Sequence, residues 1–494
     1  MRITFIYPDF ESLGVGYLMS VCRQKGHEVE FVHYSAENPY FDTKNKGLSH
    51  SRIARVIAAT RPDVAGFSCV TDNYRHQLQI AAELKRLLPE VITLFGGVHS
   101  TSVPERVIER AEVDSVAIGE AEISLPELLE ACRPAGNSFR LPENAVKGIV
   151  FKNDGRLIGT FEEGDIVHDL DTLPFPYKQP FVEALRDAGT FYFVITSRGC
   201  PFRCSYCYNS YCMQDRGGPR VRHRSVDNVI QELLWAKANF PIGYILFLDD
   251  CFTTNTPWLT DFCERYKKEV GLPFWCLTHP LYLNWEKIKL LKRAGCNSIT
   301  IGVQSLSQEI NQRILQRQSD RLKIAEDIKA FKRCGILVQV DHILGIPEDS
   351  LPLEEEAILY YAENKPDILS VFWLTYYPKV AMLDIAKEKG ILTDGDIERL
   401  EEGFKITPGN FHLGGSVRDS KDYYSVSLLL NYVPLLPKFL IRFLVKSHLY
   451  RMFRVKNFYL AVALPRFLIS LINKRDIIGR SNIVRFINTV FHFR

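Results

Sequence analysis

At 494 residues, with 46% hydrophobic and 24% charged residues, the chain has the length for about three domains and the composition of a folded globular protein. This excludes wholesale disorder, a collagen-like fibre and a disulfide-stapled miniprotein, and twelve cysteines over this length point to metal or redox chemistry rather than a secreted framework. The net charge of +3 is uneven: residues 435–494 hold twelve Lys/Arg and one acid, Asp476, a net +11, which leaves −8 for residues 1–434.

Residues 1–135 alternate β-rich runs (ITFIYP, EVEFVHY, VAGFSC, ITLFGG, SVAIG) with helical ones, such as Ser12 to Lys25, which stops at Gly26, and YRHQLQIAAELKRLL. Alternation of this kind predicts a doubly wound, Rossmann-like parallel sheet covered on both faces, with ligands at the carboxyl ends of its strands. Those ends carry Pro8-Asp9, Ser68-Cys69, Gly96-Gly97-Val98-His99 and Gly119-Glu120. Residues 136–190 read as a linker: GIVFKNDGRLIG has Asn153-Asp154-Gly155 at the tip of a hairpin, and DLDTLPFP is extended and stiffened by proline. Over 191–395 the alternation resumes, with six strand candidates: FYFVITS, YILFLDD, FWCLTH, SITIGVQS, LVQVDHILGI and ILSVFWLTYY. Six β/α units make either a partial barrel or an open sheet, and periodicity does not choose between them. Residues 396–494 lack clear strands and form a basic, amphipathic, mostly helical region.

The sharpest signal is SRGCPFRCSYCYN, which sets Cys200, Cys204 and Cys207 in C-x3-C-x2-C spacing just after a predicted strand. Three thiolates on one loop suit an iron–sulfur cluster, and three ligands leave one iron of a four-iron cluster open. The alternative is a zinc knot completed by Cys212, which needs four ligands closed tightly around one ion.

With Tyr206 at the aromatic position before Cys207, the motif resembles that of the radical S-adenosylmethionine (SAM) enzymes. The resemblance implies a partial (β/α)6 barrel, a 4Fe–4S cluster whose open iron chelates SAM, and a 5′-deoxyadenosyl radical that takes hydrogen from an unactivated carbon. It also implies a one-electron donor such as ferredoxin or flavodoxin. Asp249 and Asp250 stand where relatives hold the SAM amino group, with capping of the next helix as the alternative. Ile301-Gly302-Val303-Gln304-Ser305 resembles a family pattern with Glu in place of Gln304. Ile343, Gly345 and Glu348 match the family's G-x-I-x-G-x-x-E segment near the adenine, while Asp341 replaces its first Gly. Arg317 matches an arginine that pairs with the SAM carboxylate, the alternative being a solvated helix charge.

The amino-terminal third resembles the cobalamin-binding domain that precedes many radical SAM domains. The resemblance rests on Gly96-Gly97-Val98-His99-Ser100, Pro104-Glu105, Val113-Asp114 and Ile118-Gly119-Glu120-Ala121-Glu122. It implies cobalamin contacts at Ser68, Thr71, Gly96, Gly97, His99, Gly119 and Glu120. Glycines let a backbone approach a flat macrocycle, and Ser68, Thr71 and His99 offer hydrogen bonds. The D-x-H-x-x-G signature that supplies an axial histidine is absent, so His99 is expected at the rim or packed inside rather than on cobalt.

The expected enzyme is therefore a radical SAM methyltransferase, with a ring-forming oxidoreductase or cyclase as the alternative. The basic tail raises a third reading, an RNA-modifying enzyme. However, PKFLIRFLVKSHLYRMFRV interleaves cations with Leu, Ile and Phe at near-helical spacing, the pattern of a helix lying on an anionic membrane surface. That favours a lipid-like small-molecule substrate over nucleic acid, with Trp373, Tyr376 and Tyr377 as pocket candidates. The alternative for the tail is a packed helical subdomain with a solvated basic face. The start, MRITFIYPDF, lacks a signal-peptide pattern, and no apolar run reaches the roughly 20 residues of a membrane span. The expected location is the cytoplasm, with peripheral attachment to the inner membrane surface.

Overall fold

The structure is a computed structural model that describes residues 1–35, 48–136, 138–184, 190–212, 220–404, 421–453 and 458–483. The chain forms two compact units, residues 1–189 with 377–379 and 394–406, and the remainder.

The first unit is built on a seven-stranded sheet. From one edge its strands are Glu28–Tyr34, Arg2–Pro8, Val64–Ser68, Ile92–Gly96, Ser115–Ala117, Ile149–Asn153 and Arg156–Ile158. The first five run parallel in the order 2-1-3-4-5, and the last two are antiparallel. In this arrangement the ligand crevice opens where the order reverses, between the first and third strands in sequence. Helix Leu13–Gln24 starts at Ser12, whose side chain accepts from the Val15 N–H, and ends at Lys25 before Gly26 at φ 82°.

The Asn153-Asp154-Gly155 hairpin is present, and it extends this sheet as an antiparallel edge rather than hanging free as a connector. The proline-stiffened stretch after it is also packed in place. Tyr177 N–H donates to the Gly16 carbonyl at 3.0 Å, the Ser20 hydroxyl to Phe175 O at 2.6 Å, and Lys178 forms a buried ion pair with Glu11. A segment from beyond the sixth barrel strand belongs here too: Glu401 and Glu402 pair with Arg106 (3.5 Å) and Arg110 (3.3 Å), and Arg75 lies over the Phe404 ring.

The second unit holds six parallel strands in sequential order: Phe191–Val194, Tyr244–Phe247, Phe274–Thr278, Cys296–Gln304, Leu337–Leu344 and Ile368–Trp373. These are the six read from the sequence, each ending one to four residues earlier than its apolar run. Helices Val226–Asn239, Thr256–Glu269, Trp285–Ala294, Arg321–Arg333 and Leu351–Asn364 connect them, the (β/α)6 pattern of a partial barrel. Helices Lys421–Tyr432, Lys438–Lys446 and Phe458–Ile472 follow. Ile469 and Leu435 pack on Leu337 and Ile368, and Ile477 and Ile478 on Phe191, Tyr244 and Leu246. The carboxy-terminal region is thus part of the barrel's apolar packing, which favours the packed-subdomain reading for these residues. No helix of the described residues is long and apolar enough to cross a membrane.

Candidate active site

Cys200, Cys204 and Cys207 sit on the loop after the first barrel strand, Cys204 buried and the other two half-buried. Local hydrogen bonds shape the loop. Cys207 N–H donates to Cys204 O at 3.0 Å, and the Ser210 hydroxyl donates to the carbonyls of Cys204 (2.9 Å) and Cys207 (2.6 Å). Distant segments clamp it: Ser205 donates to Leu315 O from its backbone and to Ile314 O from its hydroxyl, and accepts from Met382 N–H. Burial pushes the Cys200 thiol up to about 12 and the Cys207 thiol up to about 11, so metal loading has to displace their protons.

Among the described residues no three His, Cys, Asp or Glu side chains converge as ligands of a single metal ion. A four-iron cluster does not require that convergence, because each thiolate takes a different iron. The Cys212 side chain, the fourth ligand of the zinc alternative, lies outside the described residues.

Asp249, two residues past the second strand, is buried, and both its oxygens are occupied. It accepts from the Thr196 N–H (3.1 Å), the Thr196 hydroxyl (2.7 Å) and the Ser197 hydroxyl (2.5 Å). Burial raises its carboxyl, and these bonds oppose the rise. It therefore holds the chain that leads into Cys200. Asp250 is exposed, with Asn209 beside it. Neither aspartate caps the next helix; Asn255 does, accepting from Trp258 N–H.

At the end of the fourth strand a bulge between Gly302 and Gln304 leaves Val303 unpaired, and Gln304 takes a left-handed φ of 69°. Strain of this kind collects at ligand sites. A Cβ at Gly302 would lie 2.8 Å from Gln304 Nε2 and 3.4 Å from Arg317 Nη2, so the glycine makes room for both side chains. Ser305 is buried and takes a Ser307 N–H on its hydroxyl. Arg317 is not a solvated charge. It is buried, donates from Nη1 to Cys204 Sγ at 3.5 Å and from Nη2 to Gly302 O. Tyr206, on the same loop, feels both Arg317 and Cys204.

In the fifth-strand segment Ile343 is buried, Gly345 (φ 74°) donates its N–H to Asp349 at 3.1 Å, and Glu348 pairs with Lys389. Trp373 packs against Tyr423 and Tyr424, and Tyr376 is buried, while Tyr377 belongs to the first unit.

His279 was not singled out by sequence. At the end of the third strand its ring stacks on Phe202 of the cysteine loop, centroids 3.8 Å apart. Nδ1 accepts the Leu281 N–H at 3.1 Å, which places the proton of the neutral ring on Nε2, a buried donor with no hydrogen-bond partner among the described residues. A buried donor of that kind fits a polar ligand such as SAM.

In the first unit the residues at the ends of the third, fourth and fifth strands contact one another. Gly97 (φ 87°) leads into helix Val98–Ser102, and a Cβ there would lie 2.7 Å from Cys69 O, so its freedom serves loop-to-loop packing. Gly96 would admit a Cβ at 3.6 Å from Ala117. His99 is buried against Tyr74, with Nδ1 3.1 Å from the Thr71 hydroxyl, and burial lowers it to about 4: it is a packed imidazole. Ser68 O accepts from Gln77, and Gly119 N–H donates to Thr101. Glu120 is half-buried at the same edge. Sequence reading passed over Phe10 and Val70 and quoted Val98 only within its glycine motif; all three are apolar side chains left exposed after the first, third and fourth strands. Exposed apolar side chains at these strand ends suit the flat face of a corrin.

A doubly wound domain followed by a partial barrel with a three-cysteine loop after its first strand defines an iron–sulfur, SAM-using class of enzyme. Residues 194–357 match the Radical SAM superfamily and residues 3–129 the B12 binding domain. The chain belongs to the radical SAM enzymes that carry a cobalamin-binding domain, whose cofactors are a 4Fe–4S cluster, SAM and cobalamin. It is 28% identical over 409 residues (79% of this chain, 84% of the other) to an uncharacterized methyltransferase of Pyrococcus horikoshii. It is 25% identical to the anaerobic magnesium-protoporphyrin IX monomethyl ester cyclase of Rubrivivax gelatinosus (76% and 68% covered) and 25% identical to the hopanoid C-3 methylase of Methylococcus capsulatus (76% and 69%). The solved structure of the methyltransferase TsrM from Kitasatospora setae, with cobalamin and a [4Fe-4S] cluster bound, superposes with a TM-score of 0.62 over 78% of each chain. At 15% identity that likeness is one of fold.

Proposed function

We propose that this protein transfers a methyl group to an unactivated carbon of an apolar, lipid-like small molecule. The observation that carries this reading is the pairing, in one chain, of a B12 binding domain with a radical SAM domain. When bound, cobalamin supplies a transferable methyl group, and the cluster with SAM supplies the means of activating a C–H bond. Cys200, Cys204 and Cys207 hold the cluster, and Asp249 fixes their loop through Thr196 and Ser197. Asp250, Gln304, Ser305 and the Gly345 turn bind SAM at the strand ends, and the His279 Nε2–H donates to its polar part. The loops bearing Phe10, Ser68, Val70 and Val98 seat the corrin, with no protein imidazole on cobalt. An external one-electron donor such as ferredoxin or flavodoxin completes the system.

The apolar substrate is supported by the hopanoid methylase among the relatives and by the tail. In helix Phe458–Ile472, Leu460, Leu464, Phe467 and Leu471 recur at helical spacing and are 67%, 45%, 36% and 53% exposed. The tail's only acid, Asp476, is buried against Arg466 and Ser470, while Lys446, Lys474, Arg475 and Arg480 are exposed. An apolar stripe beside cations, on a helix interrupted by Pro465 and too short to span, fits the surface of an anionic membrane.

The test of the reaction is mass analysis of lipids from a deletion strain. Loss of species heavier by one methylene supports methylation, and a change of two hydrogens supports the cyclase or oxidoreductase alternative favoured by the Rubrivivax relative. For docking, the protein is floated with vesicles containing anionic lipid. Leu464→Gln with Phe467→Gln should keep the fold and lose most vesicle binding; equal flotation of that variant overturns the docking reading.

A further inference from the structure

Arg317 is 7% exposed, yet no carboxylate pairs with it among the described residues. The guanidinium donates to the Cys204 sulfur at 3.5 Å and to the Gly302 carbonyl, and the Arg317 backbone N–H donates to Asn311 O at 2.8 Å. A buried cation without an anion is costly, and proteins avoid it by pairing the charge. Among the described residues none does so here. Gly302, by lacking a side chain, leaves the room in which the guanidinium sits.

We propose that Arg317 is the built-in counter-charge of the iron–sulfur cluster, and that through an N–H···S bond to Cys204 it makes the cluster easier to reduce. The proposal rests on the reading that Cys204 is a cluster ligand. Three thiolates around a four-iron core carry net negative charge, and reduction adds one more electron with no proton. A cation fixed beside one ligating sulfur therefore stabilises the reduced form more than the oxidised one. Hydrogen bonds to sulfur and net local charge are the levers by which a protein sets such potentials. The arginine's rigid fork lets one guanidinium reach sulfur and carbonyl together, which a lysine ammonium does less well. Arg317 is thus a positioning and tuning residue rather than a catalytic one.

The test is an anaerobic redox titration of the reconstituted full-length protein, without SAM, followed by the paramagnetic signal of the reduced cluster. Arg317→Gln should shift the midpoint to more negative potential by at least about 59 mV, a tenfold change in the one-electron equilibrium. Arg317→Lys should recover part of the shift. An unchanged midpoint in Arg317→Gln at wild-type iron content overturns the proposal, and weakened SAM binding at that unchanged midpoint would assign the guanidinium to the SAM carboxylate instead. Equal iron loss from both variants also overturns it, because it marks a packing role indifferent to charge. Iron loading is measured in parallel in Cys204→Ala: full four-iron occupancy there defeats the ligand reading itself, a failure separate from that of the tuning role.

Discussion

The Asp249 carboxylate is bonded to Thr196 through both its backbone N–H and its hydroxyl, which ties the end of the second barrel strand to the residue four before Cys200. The cysteine loop thereby inherits its starting point from the sheet. Replacing Asp249 with Ala leaves a buried N–H and two hydroxyls short of an acceptor, a loss of about 2–3 kcal/mol. Asp249→Ala should lower thermal stability and retain less iron on reconstitution, whereas Asp249→Glu should not restore the cluster, because the longer side chain cannot meet both residues. Iron content and melting temperature are the readouts.

For the cysteines, alanine at Cys200, Cys204 or Cys207 should each abolish the 4Fe–4S absorbance and SAM cleavage, with Cys212→Ala leaving both in place. Dependence on Cys212 would restore the zinc reading, which needs the fourth ligand.

Anaerobic reconstitution with hydroxocobalamin should give a base-off spectrum that survives His99→Ala, because this imidazole is packed against Tyr74 rather than open to a metal. Val70→Asp with Val98→Asp should lose the corrinoid while remaining folded, since both side chains are exposed and substitution at such sites changes stability little. Retention of corrinoid by that double variant would remove these apolar side chains from the site.

The interior of the fifth strand sets a pH dependence. Glu354 is buried, receives the His342 imidazole at 2.9 Å, and neighbours Asp349. Burial pushes the Glu354 carboxyl up to about 8 and Asp349 up to about 9, while the His342 ring is lowered to about 4. A carboxyl whose folded value is raised holds its proton in the folded state where the unfolded chain has released it. Its contribution is complete below the unfolded value near 4.5 and declines as pH rises through the folded one. Glu354→Gln, which keeps a neutral hydrogen-bonding group, should therefore flatten the loss of unfolding free energy between pH 5 and about 8 in urea titrations. An unchanged slope would mean that the pair ionises freely.

Much of this was legible in the sequence because it depends on local pattern. The strands announce themselves by β-rich runs between helices, and the cysteine spacing survives any folding. What stayed hidden depends on residues far apart in the chain. Nothing near Asp249 says that it faces Thr196, 53 positions earlier, and nothing near Arg317 says that it reaches Cys204 across 113. Hairpin Ile149–Ile158 reads as a linker because its pairing partner, Ser115–Ala117, is only three residues long. Phe10, Val70 and Val98 look like ordinary core residues until the fold leaves them exposed.

The tail carries the last prediction, and here the structure changes the expected outcome. Were the tail only a surface-binding helix, a chain ending before Leu435 would remain folded and lose only that end. In the structure Leu435 and Ile469 cover Leu337 and Ile368, and Ile477 and Ile478 cover Phe191, Tyr244 and Leu246, all on barrel strands. Lys365, at the end of the helix before the sixth strand, also donates to the Val433 and Leu436 carbonyls. Each large apolar side chain fully uncovered costs about 1.5–3 kcal/mol, so five of them approach the roughly 5–15 kcal/mol that holds a domain together. Truncation at residue 434 should therefore give an aggregating protein unable to hold its cluster. Point substitutions on the exposed stripe at Leu464 and Phe467, which touch none of that packing, should leave both fold and cluster intact. Native-state proteolysis and iron content separate the cases. A truncated protein that stays monomeric with full iron would show that the barrel closes without its tail.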